Sequence, residues 1–159
     1  MKRTLKLLSA LLLVSSSAFA EEAKLLVKYR YENQINGSYI ELYNDGLFKV
    51  SEKKCCPPHK KVIVSEKVSE ETLNLYRARI KAAAQGEIDT REGSPTAMGS
   101  YSGELIGYDE NGKAITIREI IRSKDATGGN DTVKINLSAA AATIDESINR
   151  LVENRMPRR

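Results

Sequence analysis

The stretch "ELIGYDENGKAITIREI", residues 104–120, constrains the fold more than any other part of the chain. Two runs of alternating apolar and polar residues flank Asn111-Gly112, a dipeptide typical of the two-residue type I′ turn. Such a turn pairs the following residues across two strands: Glu110 with Lys113, Tyr108 with Ile115, and Ile106 with Ile117. One face of this hairpin is then apolar and the other mostly polar, which predicts an antiparallel sheet buried on one side.

A second hairpin is predicted at "SYIELYNDGLFKV", residues 38–50. A three-residue loop at 44–46, with Gly46 in the left-handed conformation, pairs Ile40 with Val50 and Leu42 with Phe48 on one face. The same register sets Glu41 opposite Lys49 on the other face. A two-residue loop would place Glu41 on the same face as Val50 or Phe48, so the three-residue loop is preferred.

Two further strands and two helices complete the pattern. Apolar residues alternate along 24–31, and "KVIV" at 61–64 is a short strand candidate. A helix is predicted over 69–85, where Ser69 is the N-cap, Val68 and Leu73 form a hydrophobic staple and Gly86 ends the helix. A last helix is predicted over 138–154, with an apolar stripe through Ile144 and Ile148.

This order of elements predicts an α+β domain. We expect a largely antiparallel sheet of about five to six strands, with two helices packed on one face. Residues 91–103 are predicted to be a long loop, and 122–136 a polar connection in which "TVKI" could add a short edge strand.

The first twenty residues have the features of a signal peptide. A basic beginning is followed by the apolar run 7–14, and Ala18-Phe19-Ala20 is a small-x-small cleavage pattern. The run is too short for a transmembrane helix. We therefore expect residues 1–20 to be removed and 21–159 to form a single globular domain, periplasmic or secreted, with no membrane association after cleavage.

Removal of the leader changes the charge. Three of the 25 Lys and Arg residues and none of the 21 Asp and Glu residues lie in 1–20, so the rest of the chain has a net charge of +1. A balanced domain of this kind lacks the one-sided positive field of a nucleic-acid-binding protein. We expect no nucleic-acid partner.

The segment "KKCCPPHKK", residues 53–61, contains the two cysteines and the single histidine of the chain. Neighbouring Cα atoms lie about 3.8 Å apart, closer than a disulfide prefers, so a Cys55–Cys56 bond would be strained. In an oxidising compartment three alternatives follow: a strained vicinal disulfide, an intermolecular bridge that makes a covalent homodimer, or one buried and one capped thiol. The flanking lysines lower thiol pKa values, so a redox role is a further alternative. A metal site is disfavoured because zinc ligands are usually spaced by two to four residues.

Motifs of enzymatic chemistry are missing from the sequence. It contains no glycine-rich phosphate loop, no H-E-x-x-H, no G-x-S-x-G and no second histidine. We therefore expect no catalytic residue, no cofactor and no metal, and predict that the protein is not an enzyme.

The arrangement of a strand meander, a helix, a loop with glycine and proline, "Y..ELIGYDENGKAITI" and a closing helix resembles emfourin, a bacterial inhibitor of thermolysin-like metallopeptidases. As an arrangement of elements the resemblance covers most of the chain after residue 20. Its local features are Tyr101 and the "DENGK" hairpin through Ile117. The resemblance implies a proteinase inhibitor that acts by protein contact, and it assigns no individual residue a role.

Two functional hypotheses follow. The first is an exported, non-enzymatic protein-binding module, in which Pro95, Met98 and Tyr101 of the loop 91–103 contact the partner. The second is a thiol-dependent envelope protein, either redox-active or disulfide-linked, in which Cys55 and Cys56 are the working pair.

Overall fold

A computed structural model describes residues 23–33, 36–54, 59–93, 102–122 and 131–154. The predicted signal peptide, residues 1–20, lies outside the described residues. So do the cysteine pair, Cys55 and Cys56, and the three predicted partner-contact residues, Pro95, Met98 and Tyr101.

The described chain forms eight strands and two helices. In chain order they are β1 Leu25–Glu32, β2 Asn36–Tyr43, β3 Leu47–Lys54, β4 His59–Lys67, α1 Glu70–Ala83, β5 Ile88–Gly93, β6 Ser102–Tyr108, β7 Ala114–Ile121, β8 Asp131–Asn136 and α2 Ala139–Glu153. The predicted α+β class is confirmed.

All eight strands belong to one sheet, in the order β4-β3-β2-β1-β6-β7-β8-β5, and the seven strand pairings are antiparallel. The predicted count of five to six strands is wrong, because β8 is fully formed and β5 adds a further strand at the edge. The sequence of β5, "IDTREG", is polar and has no alternating pattern. It becomes a strand through pairing with β8, whose residues lie 38 to 48 positions further along the chain.

The predicted hairpin of β2 and β3 is confirmed in register. Ile40 pairs with Val50, Glu41 with Lys49 and Leu42 with Phe48. Gly46 has a φ of 86°, the left-handed conformation that the three-residue loop requires. Four of these six residues, all apolar, are buried.

The predicted register of the β6–β7 hairpin is wrong by one residue. Tyr108 pairs with Ala114 and Gly107 with Ile115. Leu105 and Gly107 therefore face the core, whereas Ile106 and Tyr108, predicted to be buried, lie on the opposite face. The cause is Asp109, because its Oδ1 accepts the backbone N–H groups of Asn111 (2.9 Å) and Lys113 (2.8 Å) and lengthens the loop beyond two residues.

Both helices begin as the sequence predicts. The hydroxyl of Ser69 accepts the N–H of Thr72 at the start of α1, and Ser138 accepts the N–H of Ala141 at the start of α2. α1 ends at Ala83 with Ala84 as the C-cap, two residues before the predicted last helical residue, 85.

One face of the sheet and both helices enclose a single apolar core. The helices contribute Leu73, Tyr76, Ile80 and Ala83 from α1, and Ala141, Ile144 and Ile148 from α2. β1, β2, β3, β6 and β7 supply the sheet side of the same core. The other sheet face carries the alternate residues of each strand, so the two faces differ in chemistry.

Candidate functional site

Four strand connections leave the same end of the sheet. The register pairs Lys54 with His59, Glu32 with Ser102, Ile121 with Thr132 and Gly93 with Asp131. The connections β1–β2, β3–β4, β5–β6 and β7–β8 therefore share this end, which we call the connection end. The turn of β2–β3, the loop of β6–β7 and both ends of α1 lie at the opposite end.

The connection end relates the two groups of residues that the sequence singled out. Cys55 and Cys56 fall between the cross-strand partners Lys54 and His59, which only four residues separate. Their state and role stay predictions. The β5–β6 connection contains Pro95, Met98 and Tyr101. It joins strands that are separated by β8 and β7, roughly 14 Å apart at about 4.8 Å per strand.

The predicted loop 91–103 is partly wrong. Residues 91–93 belong to β5 and residues 102–103 to β6. Gly103 is buried, and a Cβ atom there would meet Cδ2 of Tyr31 at 3.0 Å. The ends of the predicted loop are therefore ordered strand, and its partner-contact residues lie outside the described part of the chain.

The sheet face away from the helices, which we call the open face, carries a row of tyrosines and charged residues on adjacent strands. Its members are Lys28, Arg30 and Glu32 of β1, Tyr39, Glu41 and Tyr43 of β2, Lys49 and Lys53 of β3, Lys60 of β4 and Glu104 of β6. They alternate with core residues such as Val27, Ile40 and Val50, which fixes them on this face.

Tyr39 is the centre of the densest group on the open face. Its ring covers Gly37, where a Cβ atom would lie 3.1 Å from Cε2 of Tyr39. The Tyr39 hydroxyl donates a short hydrogen bond to Oε2 of Glu32. Lys53 Nζ lies 3.6 Å from the same oxygen, and Lys60 Nζ lies 4.5 Å from the centre of the Tyr39 ring. Side chains from all four strands of this sheet half are thus held together.

This arrangement changes the acidity of both partners. Burial and the hydrogen bond to Glu32 raise the pKa of Tyr39 to about 12. The hydrogen bond from Tyr39 lowers the pKa of the Glu32 carboxyl, and Lys53 and Arg30 act in the same direction against a smaller opposing effect of burial. Tyr39 is therefore a neutral hydrogen-bond donor and Glu32 a carboxylate at physiological pH.

Ion pairs extend the group across the sheet. Glu104 Oε1 lies 2.7 Å from Lys28 Nζ and 3.3 Å from Arg30 Nε. Further along, Lys134 Nζ lies 2.9 Å from Glu119 Oε2. On β2 and β3, Lys49 Nζ lies 5.1 Å from the centre of the Tyr43 ring. The open face thus presents fixed positions of both charge signs around two tyrosines.

Sequence reasoning did not identify the open face as a candidate site, although the signal was present. In "LVKYRYE" of β1, residues 28, 30 and 32 are all charged and alternate with residues 27, 29 and 31. Because alternate residues share a face, this pattern indicates a charged stripe on a half-buried strand. The contribution of β2, β3 and β6 to the same stripe depends on pairing register, which β1 alone does not reveal.

A separate concavity lies at the end opposite the connection end. Its volume is about 490 Å³, and it is bounded by the second half of α1, the beginning of β1 and the loop between β6 and β7. Apolar and charged side chains both line it. None of the residues of the open-face group around Tyr39 lines this concavity.

Two negative findings apply to the described residues. No group of three or more His, Cys, Asp or Glu side chains in these ranges is arranged to hold a metal ion. Across the same ranges, neither helix has the length and apolarity needed to cross a membrane.

Comparison with known proteins gives no relative for this chain. No protein family model, no curated protein sequence and no solved structure shows a significant match.

Proposed function

We propose that the protein is an exported, non-enzymatic protein-binding module that contacts its partner through the open face of the sheet. The observation that carries this proposal is the group around Tyr39, in which side chains from four adjacent strands are held in fixed positions on a face that the helices do not cover.

Three properties of the open face support the proposal. Tyrosine and arginine are enriched in the energetically important parts of protein interfaces, and Arg30 is the cross-strand neighbour of Tyr39 here, with Tyr43 further along the same face of β2. The side chains are already ordered by contacts with each other, so binding loses less conformational entropy. The strand framework holds them with the precision of regular secondary structure rather than of a loop.

A test compares two charge-reversal variants that change the same number of charges. The open-face variant is Lys49→Glu with Lys60→Glu, and the control is Arg79→Glu with Arg150→Glu on the helices. The protein, purified as the producing cell processes it, captures partners from the extracellular or periplasmic fraction, and titration calorimetry measures the affinity.

The proposal predicts one stoichiometric protein partner. The open-face variant should bind this partner at least about ten-fold more weakly, which corresponds to about 1.4 kcal/mol, and the control should bind it as the wild type does. Equal affinities for the two variants, with both folded by circular dichroism, would overturn the choice of surface. The absence of any stoichiometric partner would overturn the function.

A narrower form of the proposal makes the partner a thermolysin-like metallopeptidase, as the resemblance to emfourin implies. Titration of such a peptidase with the purified protein should then abolish its activity at a defined molar ratio. The open-face variant should require a higher ratio. If the peptidase keeps full activity at a large excess of the protein, the proposal that the protein is an inhibitor is wrong. The broader proposal of a protein-binding module is tested separately by the capture experiment.

A further inference from the structure

The 490 Å³ concavity opposite the connection end has an apolar part formed by β1 and the β6–β7 hairpin. Leu25, Leu26 and Ile115 line it, together with Tyr108 and the C-cap residue Ala84. Its volume lies within the range of about 300–1,000 Å³ that is usual for small-molecule sites. Apolar side chains of this kind accept the hydrocarbon part of a ligand.

Charged residues of predominantly one sign line the rest of the concavity. They are four cations and two carboxylates: Lys24, Arg77, Lys81 and Lys113, with Asp109 and Glu110. The carboxylate of Asp109 is already engaged, because its Oδ1 accepts hydrogen bonds from two backbone N–H groups of its own loop. This carboxylate keeps its charge, and four cations against two carboxylates leave an excess of positive charge around the concavity.

The guanidinium group of Arg77 is also engaged in hydrogen bonds. It donates to Glu70 Oε1 at 2.6 Å, to Asn74 Oδ1 at 2.8 Å and to the carbonyl oxygen of Asn44 at 2.8 Å. Lys81 and Lys113 differ from it. Within the described ranges neither ammonium group makes a hydrogen bond or ion pair, and each lines the same concavity as the apolar residues.

We propose that this concavity binds a small amphipathic carboxylate, with its hydrocarbon part against Leu25, Leu26 and Ile115 and its carboxylate beside Lys81 and Lys113. Charge complementarity supports this assignment, since two ammonium groups that form no ion pair with the described residues border an apolar lining of suitable volume. The concavity lies at the opposite end of the sheet from the group around Tyr39, so the inference is independent of the proposed protein partner.

The surrounding structure favours a single negative charge over a phosphate. α1 presents its C-terminal end to the concavity, and the partial negative charge of that end opposes a multiply charged anion. The guanidinium that could bind a phosphate in bidentate fashion is already held by three oxygen atoms. Lysine ammonium groups act as point charges and are sufficient for a carboxylate.

The test uses the fluorescent amphipathic anion anilinonaphthalene sulfonate as a reporter and octanoate as the competing carboxylate. The uncharged analogue 1-octanol, which has the same chain length, separates the contribution of the head group. Three single variants are compared with the wild-type protein, purified as the cell processes it: Lys81→Glu, Lys113→Glu and, as a matched control, Lys61→Glu. Lys61 is exposed on β4, far from the concavity, and its replacement changes the net charge by the same amount.

We expect saturable binding of the reporter at one equivalent and its displacement by octanoate. The alcohol should be at least about ten-fold less effective, because it lacks the charge that the lysines recognise. Lys81→Glu and Lys113→Glu should each weaken octanoate about five-fold or more, and Lys61→Glu less than two-fold.

Three results would each overturn the inference: no saturable binding of the reporter, equal displacement by octanoate and octanol, or equal weakening in the control and the two concavity variants. Loss of octanoate binding leaves the capture of a partner by the open face unaffected, so failure of this inference is distinguishable from failure of the proposed function.

Discussion

Ile80 of α1 lies directly over Gly107 of β6. A Cβ atom on residue 107 would stand only 2.8 Å from Cγ1 of Ile80 and 3.2 Å from its Cγ2. Gly107 pairs with Ile115 on the buried face of the sheet. The absence of a side chain at this position lets the helix approach the sheet closely.

Gly107→Ala should therefore destabilise the protein by about 1–3 kcal/mol, because the added methyl group enters a packed core. Urea unfolding monitored by circular dichroism measures the change in the free energy of unfolding. Ile80→Ala in the same chain removes Cγ1, Cγ2 and Cδ1, the three atoms that the added methyl group would meet. The double variant should lose less stability than the sum of the two single variants, and strict additivity would contradict the contact.

Gly46 and Gly112 form a matched pair of left-handed glycines, with φ angles of 86° and 80°. Replacement of either by alanine carries the same backbone strain of about 1 kcal/mol. A Cβ atom at Gly46 would also meet the carbonyl oxygen of Val68 at 3.2 Å, whereas one at Gly112 would meet nothing within 4 Å. Gly46→Ala should therefore lower the midpoint of thermal unfolding more than Gly112→Ala. Equal shifts would show that packing at the β2–β3 turn contributes nothing.

Asn136 joins the two helices to the sheet through one buried amide. Its Nδ2 donates to the carbonyl oxygens of Ala83 (2.8 Å) and Thr116 (3.2 Å), and its Oδ1 accepts the N–H of Ser138 (3.0 Å). Asn136→Ala leaves these three backbone groups without their partner and should cost about 2–4 kcal/mol in unfolding free energy.

The control for Asn136 is Asn149→Ala, on the exposed surface of α2. It should change the unfolding free energy by no more than about 0.5 kcal/mol. If Asn136→Ala is equally mild, the amide is not the connection between helices and sheet that its contacts indicate.

Tyr39 and Glu32 make opposite contributions to the pH dependence of stability. The pKa of Tyr39 is raised from 10.0 to about 12, so its stabilising contribution is complete below pH 10 and disappears as the pH rises towards 12. The pKa of Glu32 is lowered from 4.5, so its contribution is complete above pH 4.5 and is lost as the pH falls below that value.

Ultraviolet titration of phenolate absorbance tests the tyrosine directly. The difference between wild type and Tyr39→Phe should titrate near pH 12, and circular dichroism over the same range confirms that the protein stays folded. In Glu32→Gln the same tyrosine should titrate closer to 10.0, because the carboxylate charge that disfavours phenolate is gone. An unchanged titration in Glu32→Gln would contradict the coupling.

The parts of the fold that were predicted correctly are those with local causes. The β2–β3 hairpin follows from residues within 38–50, since Gly46 and the opposed charges select one register. The helix starts follow from Ser69 and Ser138, whose side chains bind N–H groups three residues ahead. Each of these signals lies within a few residues of the structure that it specifies.

The parts that were missed depend on distant residues or on a side chain in a turn. β5 has a polar sequence, and its strand conformation comes from β8. The register of β6 and β7 is set by Asp109, whose carboxylate binds the loop backbone and overrides the preference of Asn111-Gly112 for a short turn. In this register Gly107 faces Ile80, which is 27 residues earlier in the chain and leaves no room for a side chain at position 107.

The candidate site was harder to predict than the fold. The sequence drew attention to Cys55, Cys56 and the 91–103 loop because rare residues and loops stand out along a chain. The open face consists of common residues, and its tyrosine and its carboxylate become neighbours only when β1 and β2 pair. A surface whose residues are brought together by strand pairing can be recognised only once the register of the strands is known.

The gathering of four connections at one end of the sheet places the two candidate surfaces at different distances from them. The group around Tyr39 borders these connections, because Glu32 ends β1 and Lys53 and Lys60 flank the β3–β4 connection. The concavity lies at the far end of the sheet. A loop of new length grafted at the connection end should therefore leave the concavity unchanged, whereas it would border the open-face group.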